Sequence, residues 1–252
     1  MPYVSFKIFL TQNACVAHIE ATRNPAPPKE VILHIVGTPR SGTRLVEQIV
    51  GSHPMVSASG ENMALKFALQ TLNPTLPPKD IPLQLTTSDY SRLASEYLME
   101  LEKITGKAPF ITNKTITNHL ELGLIAAALP NSKIIYCQRS PLDIAISNYF
   151  IDFQSSDLSF SYNLRQLGLY INEYQRVMTC WMEQLPIEIY PLQYEQLILN
   201  QREETVKLLE FCGLDWDDSC LAFYRSGNHV KTASNVQVRE PIHTNSLSRW
   251  KP

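Results

Sequence analysis

No stretch of this 252-residue chain is apolar for long enough to cross a bilayer: the longest mostly apolar run, Leu120 to Leu129, is interrupted by Glu121 and is too short to span. The start, Val4-Ser5-Phe6-Lys7-Ile8-Phe9-Leu10, lacks both a basic leader and a long apolar centre, so it makes a poor signal peptide. Neither sign of charge dominates, with 22 Lys and Arg against 24 Asp and Glu. That argues against a broadly basic nucleic-acid surface but leaves room for one local basic pocket. The five cysteines (Cys15, Cys137, Cys180, Cys212 and Cys220) are odd in number and widely spaced, and none forms a paired Cys or Cys/His metal pattern. Reduced structural thiols in a cytoplasmic protein are the expectation, and no metal is implied. No internal repeat is present. What remains is an ordinary soluble composition, 44% hydrophobic and 18% charged, in a chain of one-domain length. A globule of this size buries roughly 70–75% of the surface its unfolded chain exposes.

The most informative segment is Gly37-Thr38-Pro39-Arg40-Ser41-Gly42-Thr43-Arg44. It follows the apolar run 31–36 and precedes Leu45-Val46-Glu47-Gln48-Ile49-Val50, which reads as buried strand, tight glycine loop and amphipathic helix. Such a junction aims several backbone N–H groups, at the positive end of a helix dipole, at one spot where a phosphoryl or sulfuryl group binds. The two glycines have the spacing of a P-loop. The lysine that should follow Gly42 is absent, with Thr43 in its place, and the positive charge sits inside the loop at Arg40.

Residues 1–29 read as an N-terminal extension ending in the stiff Asn24-Pro25-Ala26-Pro27-Pro28, and 30–252 as the domain. Helices are expected over 88–104, 120–129, 162–185, 200–212 and 217–225, with a short one opened by Gly60-Glu61; 73–82 is a proline-rich surface loop. Short strands are expected at 109–112, 133–138 and 187–192. Ser140-Pro141-Leu142-Asp143 reads as a helix start with a capping box. Alternating strands and helices imply an α/β fold, a parallel sheet flanked by helices on both faces. Ligands in such sheets sit beyond the carboxyl ends of the strands, where Arg40, Lys114 and Arg139 all fall.

Pro39-Arg40-Ser41-Gly42-Thr43 followed by Leu45, then Ser52-His53-Pro54 and Gly60-Glu61, resembles the 5′-phosphosulfate-binding segment of sulfotransferases that use 3′-phosphoadenosine 5′-phosphosulfate (PAPS). The chain is most similar to tyrosylprotein sulfotransferases and to bacterial sulfotransferase domains joined to tetratricopeptide repeats. Arg139 with Ser147 eight residues on resembles the family's 3′-phosphate-binding segment; the Ser lies about two helical turns past the strand end, so both can reach one phosphate. The likeness implies that the backbone of 40–45, with Arg40, Ser41, Gly42, Thr43, Arg44 and Leu45, cradles the 5′ group, and that Tyr194 helps hold the nucleotide. It also implies that Ser234 and Arg249 belong to a terminal loop closing over it. Lys114 resembles the catalytic lysine that steadies the leaving group, and Glu61 the base that takes the acceptor's proton. His53 and His119 are rival bases, and Glu61 could instead serve a helix dipole.

The reaction implied is in-line sulfuryl transfer from PAPS to a hydroxyl of a protein tyrosine, sugar, lipid or small molecule, without metal, leaving 3′,5′-adenosine bisphosphate (PAP). Two alternatives stand beside it: a P-loop nucleotide kinase, and a non-catalytic nucleotide-binding remnant. Arg44 departs from the usual second Thr, and the family normally continues into a final helix beyond the point where this chain stops. The animal tyrosylprotein enzymes carry a membrane anchor that is not visible here, which favours a cytoplasmic location.

Overall fold

The structure, a computed structural model, describes residues 19–72, 85–151, 153, 156–225 and 240–250. Five parallel strands form one sheet in the order β2-β3-β1-β4-β5: β1 (Val31–Val36), β2 (Val56–Ala58), β3 (Phe110–Asn113), β4 (Lys133–Gln138) and β5 (Ile189–Gln193). The chain leaves β1 toward β3 on one side and later crosses to β4 on the other. A crevice therefore opens between the ends of β1 and β4, the place where parallel sheets take their ligands.

Alternation along the central strands divides the core in two. Ile32, Val36, Ile134 and Tyr136 face one layer, built from α3 (Thr87–Thr105), α4 (Leu122–Ala128), α5 (Pro141–Tyr149) and α6 (Leu164–Gln184). Leu33, Ile35, Ile135 and Cys137 face the other, built from α1 (Thr43–Gly51), α7 (Tyr194–Leu199) and α8 (Gln201–Cys212). Helix α2 (Ala64–Leu72) joins the first layer through Ala64, Leu65, Ala68 and Leu69. Each fully buried Leu or Ile contributes about 1.5–3 kcal/mol, so a sheet buried on both faces is the main store of stability. Ile19, in the segment preceding β1, also enters the first core, and Asn24 bonds Ala127 and Ala128.

Several elements differ from expectation. Strand β2 went unread because three residues are too few to show a period. Gly60-Glu61 opens no helix: Gly60 has φ 66°, and α2 begins only at Ala64, whose N–H is taken by the Asn62 side chain. The segment at 120–129 is α4 preceded by a 3₁₀ turn, Ile116–Leu120. The segment at 217–225 is two 3₁₀ turns, Asp218–Cys220 and Phe223–Arg225, not a helix. There Asp217 caps Ser219, and the Ser219 hydroxyl is drawn to the Ser52 carbonyl at 2.7 Å, holding the chain against the end of α1. The loop expected at 73–82 falls within 73–84, outside the described residues.

Candidate functional site

The loop between β1 and α1 is closed by contacts that tolerate only glycine at its two ends. A Cβ on Gly37 would lie 2.3 Å from Ser41 Oγ and 3.0 Å from the Cys137 carbonyl; one on Gly42 would lie 2.4 Å from the Tyr194 ring. Gly42 has φ 100° and Arg40 φ 71°, both left-handed, which folds the loop back over the strand end. Helix α1 starts with no side-chain cap and no acidic residue in its first turn, so its leading N–H groups and its positive dipole end face the crevice. Thr38 Oγ1, Ser41 Oγ and Arg139 Nε are buried around this loop with no hydrogen-bond partner among the described residues.

Two arginines, Arg40 and Arg139, meet beside the loop. Arg40 Nε donates to Ser147 Oγ at 2.9 Å, so α5 docks on the loop, and Asn148 Nδ2 donates to the Pro39 carbonyl at 2.9 Å. The Arg139 guanidinium, from the end of β4, donates to the carbonyls of Arg40 (2.8 Å) and Ser246 (2.6 Å) and lies 4.5 Å over the Tyr194 ring. Tyr194, the first residue of α7, shares a 2.8 Å bond with Ser246 Oγ. Burial first, and then the charges of Arg139 and Arg249, push the Arg40 guanidinium below its ordinary value, against the opposing influence of Tyr194. Arg249 is therefore close enough to be felt, and the assembly is crowded with positive charge. Arg44 is buried near Glu47, and Leu45 packs into the second core. Ser234 lies outside the described residues.

On the β3 side, Lys114 and Glu61 form an ion pair at 2.5 Å, the lysine side chain 4% exposed and the carboxylate 40%. The loop carrying Glu61 is laced to the end of β3: Lys114 N–H donates to the Gly60 carbonyl (3.0 Å), Ser59 N–H to Thr112 (3.2 Å), and Asn62 N–H to Thr115 Oγ1 (3.1 Å). Beneath them sits Glu47, which the sequence reading passed over. It is fully buried on α1, and its Oε1 accepts from the Gly60 N–H (3.0 Å) and the Thr112 hydroxyl (3.1 Å). Burial raises its carboxyl pKa, opposed by Lys114, by the bonds from Thr112 and Gly60, and by Arg44. Its only sequence signal is a charge on the apolar stripe of α1. The rival histidines hold local structure. His53 Nε2 pairs with the Asp215 carbonyl and its Nδ1 accepts from Met55 N–H. His119, its pKa lowered to about 4 by burial, stacks on Tyr174 and pairs with the Ile116 carbonyl.

The capping box read at Ser140 is only half formed. Ser140 Oγ accepts a long 3.5 Å bond from Asp143 N–H, but the Ser140 N–H goes to Glu195 at 2.8 Å. The Asp143 carboxylate turns instead to the segment 240–250, accepting from Ser248 N–H (3.0 Å) and Arg249 N–H (2.8 Å). That segment roofs a narrow cleft of about 90 Å³ lined by Arg40, Thr43, Arg139, Tyr194 and Ser246. On the other side of Arg139 lies a larger cavity of about 670 Å³, lined in part by Gln138, Asp143, Gln175, Glu195 and Trp250. Among the described residues no group of His, Cys, Asp and Glu could hold a metal ion, and no helix is long and apolar enough to cross a membrane.

A family model described as "Sulfotransferase family" matches residues 33–218, well over half the chain. An uncharacterized protein of Aquifex aeolicus is 35% identical over 92% of this chain and 32% of its own length. A protein-tyrosine sulfotransferase of Drosophila melanogaster is 23% identical over 87% of this chain and 46% of its own. The chain thus spans from about a third to just under half of these relatives' own length. A mouse sulfotransferase solved in complex with PAP shares the fold, with a TM-score of 0.51 at 16% identity over 96% of this chain and 85% of that one. The glycine loop, the arginine at the end of β4 and the matched span together place this chain in the sulfotransferase family.

Proposed function

We propose that the chain transfers a sulfuryl group from PAPS to an acceptor hydroxyl. The observation that carries this reading is the meeting of Arg40 and Arg139 at a glycine loop at a helix start, with a lysine–carboxylate pair on the adjoining strand end. Unpartnered donors at Thr38, Ser41 and Arg139 Nε fit an anion with many acceptor oxygens. In this reading the loop N–H groups with Arg40 and Thr43 hold the 5′ phosphosulfate, and Arg139 with Ser147 holds the 3′-phosphate. Glu61 accepts the hydroxyl proton as the acceptor oxygen bonds to sulfur, and the bond from sulfur to the bridging oxygen breaks. Lys114 steadies the charge gathering on that oxygen. Neutralising Glu61 releases Lys114 from its ion pair at the moment its charge is needed.

The cleft is too small for a nucleotide as it stands, since pockets for such ligands run to about 300–1,000 Å³. In this reading segment 240–246 gives way on binding, so that the cleft opens into the cavity of about 670 Å³ on the other side of Arg139, and Arg139 exchanges the Ser246 carbonyl for phosphate. The mouse relative's PAP complex supports the nucleotide, and the Drosophila relative's name supports a tyrosine among candidate acceptors.

Calorimetry with PAP and with ATP, each with and without Mg²⁺, tests this directly. Metal-independent PAP binding is expected, and tight Mg²⁺-dependent ATP binding would overturn it in favour of a kinase. With labelled PAPS and a panel of hydroxyl acceptors, Glu61→Gln and Lys114→Ala should each lower transfer by about 10²-fold or more while PAP binding persists. Binding without any transfer by the wild type would instead indicate a remnant.

A further inference from the structure

Asp143 lies on the first turn of α5, where a carboxylate ordinarily satisfies the helix's own N–H groups, yet both of its oxygens are spent elsewhere. One accepts from Ser248 N–H and the other from Arg249 N–H, two consecutive amides of a segment more than a hundred residues away. The aspartate is 2% exposed, although the two residues that donate to it lie at the surface, so these charge-assisted bonds are half-buried. Ser248 adopts a left-handed φ of 54°, a turn that presents both amides to one carboxylate. The next groups along are the Arg249 side chain, close enough to Arg40 to depress its pKa, and Ser246, whose carbonyl and hydroxyl meet Arg139 and Tyr194. The helix start is not left bare by this diversion, because Glu195 on α7 takes the Ser140 N–H.

We infer that Asp143 is a positioning residue for the nucleotide site: it anchors the terminal segment at Ser248 and Arg249 and so delivers the Arg249 guanidinium to the site formed by Arg40 and Arg139. The anchor lies beyond the part of the segment that roofs the cleft. Residues 240–246 can therefore give way to a nucleotide while Arg249 keeps its place. The inference rests on the proposed nucleotide site for its functional meaning, but the anchor itself is a separate physical claim.

Two measurements keep these apart. Hydrogen–deuterium exchange without nucleotide reads the anchor: Asp143→Asn, which keeps the shape but can accept with only one oxygen, should speed exchange of the Ser248 and Arg249 amides by about 10-fold or more while the amides of β1 and β4 are unchanged. Unchanged exchange at 248–249 would overturn the anchor whatever the protein binds. PAP calorimetry reads the consequence. Asp143→Asn and Arg249→Ala should each weaken binding by about 10-fold. The double variant should be no weaker than Arg249→Ala alone, because the carboxylate acts through that arginine. Arg249 is on the exposed face of the segment, so its replacement leaves folding intact even should Asp143→Asn prove unstable. Multiplying losses in the double variant would overturn the positioning role, since a purely structural aspartate would weaken binding with or without Arg249. Absence of PAP binding by the wild type would sink the nucleotide site and leave the exchange result to decide the anchor.

Discussion

Glu47 offers the sharpest test of how the two halves of the site are joined. It is the buried tie between α1, the loop carrying Glu61, and the end of β3 that leads to Lys114. Glu47→Ala strands the Gly60 N–H and the Thr112 hydroxyl in a dry interior. Each such orphaned donor costs about 1–3 kcal/mol, for about 2–6 kcal/mol together. A loss near 3 kcal/mol lowers the melting midpoint of a chain this size by roughly 6–12 °C. Glu47→Gln keeps a carbonyl oxygen for both donors and relieves the burial of a charge, so it should recover at least half of that loss. Urea unfolding of the three proteins measures the ordering, and transfer assays on the folded fraction measure the consequence. Turnover should fall in the alanine variant with PAP affinity kept, because the displaced groups are Glu61 and Lys114 rather than the arginines. An alanine variant within about 1 kcal/mol of wild type, or a glutamine variant as damaged as the alanine one, would refute the tie.

Gly42→Ala puts a methyl 2.4 Å from the Tyr194 ring at φ 100°, so about 1–2 kcal/mol of backbone strain adds to a displaced ring. Unfolding and PAP calorimetry should both show the loss, about 10-fold or more in affinity because Tyr194 carries Arg139 and Ser246 with it; unchanged values in both assays would contradict the loop geometry. Glu121 is raised to about 7 by burial. The folded state therefore holds a proton that the unfolded state has released, so stability falls as pH rises from about 4.5 to about 7 and is level above. The cost at pH 8 is at most about 3 kcal/mol, less for the part of the residue that water reaches. Glu121→Gln should flatten that slope in unfolding curves at pH 5 and pH 8, and an unaltered slope would remove Glu121 as its source.

Much of the fold was legible locally. The apolar run at 31–36, the glycines at 37 and 42 and the proline-started helix at 141 each impose their conformation within a few residues, so strand, loop and helix follow from short-range sterics. The same holds for Arg40, Lys114 and Arg139, which sit just past strand ends and so land on one rim of any parallel sheet. Less visible were features whose partners are remote. Three-residue β2 exists only because β3 pairs with it, and the turns at 218–225 form because Ser219 finds the Ser52 carbonyl.

Sequence by itself determined that this chain would build a tight glycine loop between a strand and a helix and set basic residues just past the strand ends, because glycine, proline and charge act on their immediate neighbourhood. Only the tertiary structure decided that Glu47 would lock Gly60 to Thr112, that Lys114 would neutralise Glu61, and that Asp143 would abandon its own helix for Ser248 and Arg249. Those are choices among competing donors and acceptors. Which donor a buried carboxylate meets depends on what the folded backbone brings within 3 Å, over separations of more than a hundred residues that no local pattern encodes.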